Sequence, residues 1–379
     1  MANQAISSGD KPDSELEREH FLRIIAAFNY YKTYATGRVN RAQQYYNELS
    51  KRHKDLLPDF LPHLDQIRNC IAHNSEVIKT MLEGTEDMFE NRDSHINGDS
   101  NQPKAVNNFD MEKVVTTLKQ FFRDWSSGGK EERDACYKPI VEEIEHLYPK
   151  SKCNPPEVNV LIPGAGLGRL AFEIASRGYR CQGNEFSLFM LIASHFVLNR
   201  SMELDMFTLY PWILYFSNNK CAANQIRPIQ FPDINPSLLS PKAQFSMVAG
   251  DFLEVYTEEA SWDCVATSYF IDTAHNILAY VDKIYHILKP GGHWINLGPL
   301  LYHFENMPHE ESIEISYDVL RKVILEIGFI MKRENTSLKS SYIQDPESMM
   351  QYSYNCVFFV CQKPDSTSHS RLGGNQVQS

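Results

Sequence analysis

The chain has 379 residues, enough for two domains or for one domain with a large extension. Hydrophobic residues make up 42% and charged residues 22%, which excludes a wholly disordered, collagen-like, coiled-coil or small disulfide-stapled protein. With 37 Lys and Arg against 48 Asp and Glu the net charge is −11, and this argues against a nucleic-acid partner held by a basic surface.

Residues 1–14 are polar and read as disordered, and the start has no apolar segment of the signal-peptide kind. Residues 15–150 read as a helical N-terminal region. Phe21, Leu22, Ile24, Ile25, Phe28 and Tyr31 recur at helical spacing, and Val39, Ala42, Tyr45, Tyr46 and Leu49 form a second such set. A third helix is expected to end at Leu82, before Gly84. The stretch from about 91 to 108, rich in Asn, Asp, Ser and Gly, reads as a loop. Helices are then expected over Met111–Trp125 and Glu131–Leu147, with a boundary at Pro155 and Pro156.

Beyond that boundary the pattern changes. VNVLIP is a short apolar run of the kind found in buried parallel strands. Strand and helix patterns alternate from there to LEIG, and two late strands follow around FIMKRE and NCVFFVCQK. Residues 151–363 therefore read as an α/β, doubly wound, mostly parallel sheet with an α-helical N-terminal extension. KPGG is expected to be a turn between a helix and a strand. Residues 200–244 are too long for a plain connection and read as a lid or functional insertion, and residues 364–379 as a loose tail. No stretch approaches the roughly 18 apolar residues of a membrane helix, so no membrane partner is expected. Cys70, Cys136, Cys153, Cys181, Cys221, Cys264, Cys356 and Cys361 form no CxxC pair and no zinc-ligand spacing with His. Reduced thiols in a cytosolic or nuclear protein, and no metal, are the expectation.

The strand VNVLI runs into PGAGLGRL, a GxGxG turn of Gly164, Gly166 and Gly168 followed by a helical pattern. Glycines let a ligand lie against the backbone, and the helix N-terminus behind them offers free N–H groups. Glu185 ends the next strand 21 residues after Gly164, the separation at which a carboxylate meets a ribose diol. Asp251, in Gly250-Asp251-Phe252 at the end of FSMVAGD, is placed to accept from an adenine amino group. The loop alone would also suit a dinucleotide. Taken in order, PGAGLGR, Glu185, Gly250-Asp251 and KPGG resemble the S-adenosylmethionine-dependent methyltransferases of the Rossmann-like class.

LKQFFRDWS, SYFIDTAHN and NLGPLLYHFE narrow this further: with the glycine loop, they resemble the carnosine N-methyltransferase family from about Glu15 to Lys363. The resemblance implies transfer of a methyl group from S-adenosylmethionine to the imidazole of carnosine (β-alanyl-histidine), giving anserine. It also implies a homodimer formed through the helical N-terminal region, in cytosol and nucleus. Methylation of a protein histidine or another imidazole compound is the alternative, with a non-catalytic cofactor-binding scaffold behind it.

Asp272 and His303 follow adjacent strands and can face one pocket. A carboxylate at Asp272 could fix the imidazole tautomer and stabilise the forming imidazolium, although an N-cap role would also suit this position. His303 is expected to bind substrate or to orient Asp272. Gln120 and Arg123 lie one helical turn apart, and Arg123 could meet the methionine carboxylate of the cofactor. On the resemblance, Gln120, Arg123, Gly164, Gly166, Glu185, Asp251, Phe252 and Ser268 bind cofactor. Tyr269, Asp272, His303, Tyr342, Tyr352 and Tyr354 bind substrate.

Overall fold

The computed structural model describes residues 13–85 and 106–365, with side chains from residue 17 onward. The segment 1–12, most of the expected 91–108 loop and the tail beyond 365 lie outside them. The described residues fall into two compact units, one of residues 13–85 and 106–119 with 208–228 and one of residues 120–207 with 229–365.

In the first unit, α1 runs over Asp13–Glu48 as one helix of 36 residues and α2 over Phe60–Leu82. The two apolar sets read separately in the sequence therefore lie on one helix, and Gly37 does not break it. Ile24, Phe28, Tyr31, Ala35 and Val39 are buried at three- and four-residue spacing, as are Leu64, Ile67, Ile71, Ile78 and Met81 on α2. Burying each large apolar side chain contributes about 1.5–3 kcal/mol. Asn74 explains the long segment 200–244. Its Nδ2 donates to Tyr31 Oη and to the Tyr210 carbonyl, both at 3.0 Å, and its Oδ1 accepts from Tyr210 N at 2.9 Å. Gln225 is buried, accepts from His63 Nε2 at 2.9 Å and donates to the Ile213 carbonyl. The middle of the insertion thus follows the helices of this unit, tied by buried polar groups that must be satisfied.

The second unit is built on seven strands. They are β1 Asn159–Pro163, β2 Arg180–Glu185, β3 Phe245–Ala249, β4 Trp262–Ser268, β5 Leu288–Gly298, β6 Ile330–Ser340 and β7 Tyr354–Gln362. Their order is β3-β2-β1-β4-β5-β7-β6, parallel except for β7, which runs antiparallel to both neighbours. This is the doubly wound sheet expected from the alternating pattern. Successive residues face opposite sides, as strand geometry requires. Val160 and Ile162 join Ile174, Ala266, Leu297 and Phe358 in one core, while Leu161 joins Val265, Trp294, Ile284 and Ile324 in the other. The helix α3, Asn108–Trp125, passes into this unit at Gln120. It is followed by α4 Lys130–Cys136 and α5 Lys138–Leu147.

Two local expectations fail. The helix expected over Glu131–Leu147 splits at Tyr137, because Pro139 in the first turn of α5 lacks an N–H to continue the ladder. KPGG is not a free turn. β5 already starts at Leu288, opposite Trp262, and the register jumps to Cys264 opposite His293. Gly291, at φ 78°, lets the extra residues bulge, while its N–H donates to the Lys363 carbonyl at 2.9 Å.

Candidate active site

β1 ends at Pro163, and the chain turns through Gly164 (φ 67°) and Gly166 (φ 56°) into α6, Arg169–Ser176. A side chain at Gly164 is barred twice, since its Cβ would stand 2.5 Å from Phe270 Cδ2. Glu185, buried at the end of β2, binds the loop itself. Its Oε2 accepts from Gly166 N and its Oε1 from Ser187 N, both at 2.8 Å. Asp251 follows β3 and caps the short helix Phe252–Val255, accepting from Leu253 N at 2.7 Å. Phe252 is buried, with its ring edge-on to Phe270 and Tyr280. Ser268 closes β4. These groups share the carboxyl edge of the parallel strands, where ligands bind in open α/β sheets.

The end of α3 lies over the glycine loop. A Cβ on Gly166 would stand 3.6 Å from both Gln120 Nε2 and Asp124 Oδ2. Gln120 Nε2 donates to Asp124 Oδ2 at 3.0 Å, and Trp125 Nε1 donates to the Leu167 carbonyl at 3.1 Å. Arg123 is 3% exposed and strongly engaged. Nε donates to Glu132 Oε1 at 2.6 Å, Nη1 to Asp124 Oδ1 and Tyr137 Oη, and Nη2 to Cys136 Sγ at 3.2 Å. Burial opposes its charge, but the groups around it, Tyr137, Cys136, Asp124 and Glu132, outweigh that and hold its pKa above the ordinary value. Arg133 and Arg169 grip the same helix end. They donate to the carbonyls of Arg123, Asp124 and Ser126, and both pair with Asp233.

Asp272 lies in a short 3-10 turn after β4 and is 4% exposed. Its Oδ2 accepts from Leu301 N at 2.8 Å. Burial lifts its pKa from 3.8 to about 6, and the Leu301 N–H offsets part of that rise. It does not cap the following helix, α9 (counted after α7 Leu188–Arg200 and α8 Phe252–Val255). That helix, Ile277–Ile287, is capped by Asn276, which accepts from Leu278 N at 3.0 Å. His303 N donates to the Asp272 carbonyl at 3.1 Å, but the His303 side chain is exposed. This backbone bond ties the two positions together.

The tyrosines form a connected wall. Tyr269 sits at φ 52°, a costly conformation for a residue with a side chain, where Gly298 permits close passage. Its ring lies 4.9 Å from Tyr342 and 6.2 Å from Tyr354, and its hydroxyl donates to the Ser341 carbonyl at 3.1 Å. Tyr352 is exposed, donates to the Tyr342 carbonyl at 2.6 Å and meets Tyr354 edge-on at 5.8 Å. Arg123 Cζ stands 4.6 Å from the Tyr342 ring and 5.5 Å from that of Tyr269. Burial raises the pKa of Tyr269, Tyr342 and Tyr354, and the Asp272 charge adds to the effect at Tyr354, so the phenols stay protonated.

Two buried polar atoms here have no hydrogen-bond partner among the described residues, Gln120 Oε1 and Ser268 Oγ. An orphaned buried acceptor or hydroxyl costs about 1–3 kcal/mol unless a ligand satisfies it. Together with the Glu185 carboxylate and the left-handed glycine backbone, these atoms suit a polar nucleoside-type cofactor.

The sequence matches a family model described as Carnosine N-methyltransferase over residues 100–365. The chain is 54% identical over 359 residues to the Carnosine N-methyltransferase of Rattus norvegicus, spanning 94% of this chain and 89% of the relative. The chain belongs to the carnosine N-methyltransferase family. Other carnosine N-methyltransferases resemble it over most of their length. That of Schizosaccharomyces pombe is 41% identical, over 92% of this chain and 96% of the relative. Carnosine N-methyltransferase unmet of Drosophila melanogaster is 40% identical, over 95% and 83%. Among solved structures, magnesium protoporphyrin IX methyltransferase from Synechocystis PCC 6803 aligns over 69% of this chain and 90% of that chain, at 12% identity and TM-score 0.36.

Asp124, Glu132, Tyr137, Arg169 and Asp233 were not singled out by the sequence. Arg123 and Glu132 lie nine residues apart across a helix break, and Asp233 lies 100 residues from Arg133. No local spacing rule links such pairs. The Tyr137 phenol could have been suspected only as one aromatic among many.

Proposed function

We propose that this protein transfers the methyl group of S-adenosylmethionine to the imidazole of carnosine, giving anserine. The observation that carries this reading is the buried Asp272 carboxylate, set beside the tyrosine wall at the strand edge that holds the glycine loop and Glu185. S-adenosylmethionine supplies an electrophilic methyl group on a sulfonium. Gly164, Gly166, Glu185, Asp251, Phe252, Ser268, Gln120 and Arg123 are assigned to hold it. Glu185 takes the ribose diol, and Gln120 and Arg123 lie toward the methionine end.

The acceptor must be a neutral imidazole nitrogen, so the active site has to select the tautomer. Asp272 accepts the N–H of the distal ring nitrogen and leaves the other lone pair free to react. As positive charge develops on the ring, the carboxylate stabilises it, while burial keeps water from weakening the interaction. Tyr269, Tyr342, Tyr352 and Tyr354 provide flat faces for the dipeptide. His303 stands at the rim, where its exposed ring can meet the polar ends of the substrate. Correct placement alone contributes several kcal/mol to lowering the barrier.

The test is turnover by the purified protein with S-adenosylmethionine and carnosine, followed by release of S-adenosylhomocysteine. Release that depends on carnosine supports the reading. Labelling of protein histidines without carnosine turnover would instead favour a protein substrate, and cofactor binding without any transfer would favour a scaffold. A homodimer formed through the helical N-terminal region, in cytosol and nucleus, belongs to the same proposal. Exposed Leu22, Tyr30 and Tyr45 on α1 support the dimer, and light scattering of the full chain tests it.

A further inference from the structure

Glu132 is 8% exposed, and a single oxygen of its carboxylate joins two parts of the site. Oε1 accepts the Arg123 Nε–H at 2.6 Å and the Ile343 N–H at 2.9 Å. Ile343 is buried and stands at φ 50°, a left-handed conformation that a β-branched residue adopts only when its surroundings impose it. The neighbouring Tyr342 is thereby turned so that its ring covers the Arg123 guanidinium, 4.6 Å from Cζ, with Tyr137 at 4.7 Å. A buried carboxylate in an ion pair need not have this meaning. Glu143, 5% exposed, accepts from Nη1 of the mostly exposed Arg333 at 2.6 Å and joins α5 to β6.

We infer that Glu132 is a positioning residue, which fixes the Arg123 guanidinium and the strained Tyr342–Ile343 backbone in one register, so that the cofactor side and the substrate side of the site are set together. The inference rests on the proposed function for the ligands those two residues face. Its mechanism is electrostatic and geometric. Removing the charge weakens both bonds made to Oε1, by Arg123 Nε and by the Ile343 N–H, so the Tyr342 ring no longer has one fixed place.

The experiment compares Glu132→Gln with Glu143→Gln in the full chain. S-adenosylhomocysteine binding is measured by calorimetry, KM and kcat with carnosine by product assay, and melting in parallel. Glu132→Gln is expected to raise the Kd for S-adenosylhomocysteine and the KM for carnosine about tenfold each, with kcat lowered less. Glu143→Gln is expected to lower the melting midpoint while both constants stay within twofold of wild type. Glu132→Asp keeps the charge but shortens the reach. It should shift the constants in the same direction by a smaller factor, and it serves if the Gln variant does not fold. Unchanged S-adenosylhomocysteine affinity in the Glu132 variants, or equal weakening in Glu143→Gln, would overturn the inference. If wild type binds S-adenosylhomocysteine but does not act on carnosine, the functional reading fails, and the binding comparison still decides the role of Glu132.

Discussion

Replacing Asp272 by Asn should make the protein more stable and nearly inactive. In the native state the carboxyl titrates at about 6 in place of 3.8, because burial disfavours its charge. At neutral pH the charged form therefore costs about 3 kcal/mol relative to the unfolded chain. The sign follows from proton binding. The native state holds the proton more tightly, so stability falls as pH rises from about 4 to about 6, and the full deficit persists above. Asn keeps the shape and an oxygen for the Leu301 N–H, but it carries no charge. After allowing for a weaker hydrogen bond, the gain should be about 1–2 kcal/mol at pH 7 and should vanish near pH 4. Turnover should fall on the order of 10²–10³-fold, because a neutral amide cannot stabilise an imidazolium as a carboxylate does. Cofactor affinity should change little. The assay pairs denaturant melts at pH 4 and pH 7 with initial rates on carnosine and calorimetry with S-adenosylhomocysteine. A variant that is less stable at pH 7 with undiminished turnover would refute both the electrostatic and the catalytic reasoning.

Four other outcomes are expected. Glu185→Ala orphans the N–H groups of Gly166 and Ser187, so S-adenosylhomocysteine affinity should drop at least tenfold and the melting midpoint should fall; unchanged affinity in calorimetry removes the ribose assignment. Gly164→Ala places a Cβ against Phe270 at an unfavourable φ, and circular dichroism should record a lower melting midpoint with cofactor binding impaired. His303→Ala should leave stability within about 0.5 kcal/mol, as for an exposed site, and act mainly on the KM for carnosine; a kcat loss above a hundredfold would place the ring at the reacting atoms. The pH profile of wild-type kcat/KM should rise on its acid side between about 6 and 7, as Asp272 and the substrate imidazole lose their protons, and a flat profile down to pH 5 would contradict this.

Much of the fold was legible because its periodicities are local. The apolar run Val160-Leu161-Ile162 marks a strand buried on both faces, and helical periodicity marks the run after the glycine loop. The glycine loop was legible for the same reason, since strand, tight turn and helix are contiguous. What was hidden depends on distance. Nothing near Gln225 announces its partnership with His63, and nothing near Asp233 announces two arginines from other elements. The single helix over Asp13–Glu48 was read as two apolar sets, although the one glycine between them, Gly37, costs only about 1 kcal/mol. At the site, strand-end position told where Asp272 lies in the fold, but not its burial or its bond from the Leu301 N–H, nor the exposure of His303. The strain at Tyr269 and Ile343 could not be foreseen either, because neither residue type favours a positive φ.

The most direct test is the identity of the product. The purified full chain is incubated with carnosine and methyl-¹³C S-adenosylmethionine, and the reaction is followed by NMR and mass spectrometry. The prediction is one labelled methyl group on an imidazole nitrogen of the dipeptide, with the β-alanyl amine unmodified and the initial rate of Asp272→Asn lower on the order of 10²–10³-fold. A methyl group on the amine, label confined to protein, or an undiminished rate in Asp272→Asn would contradict the account.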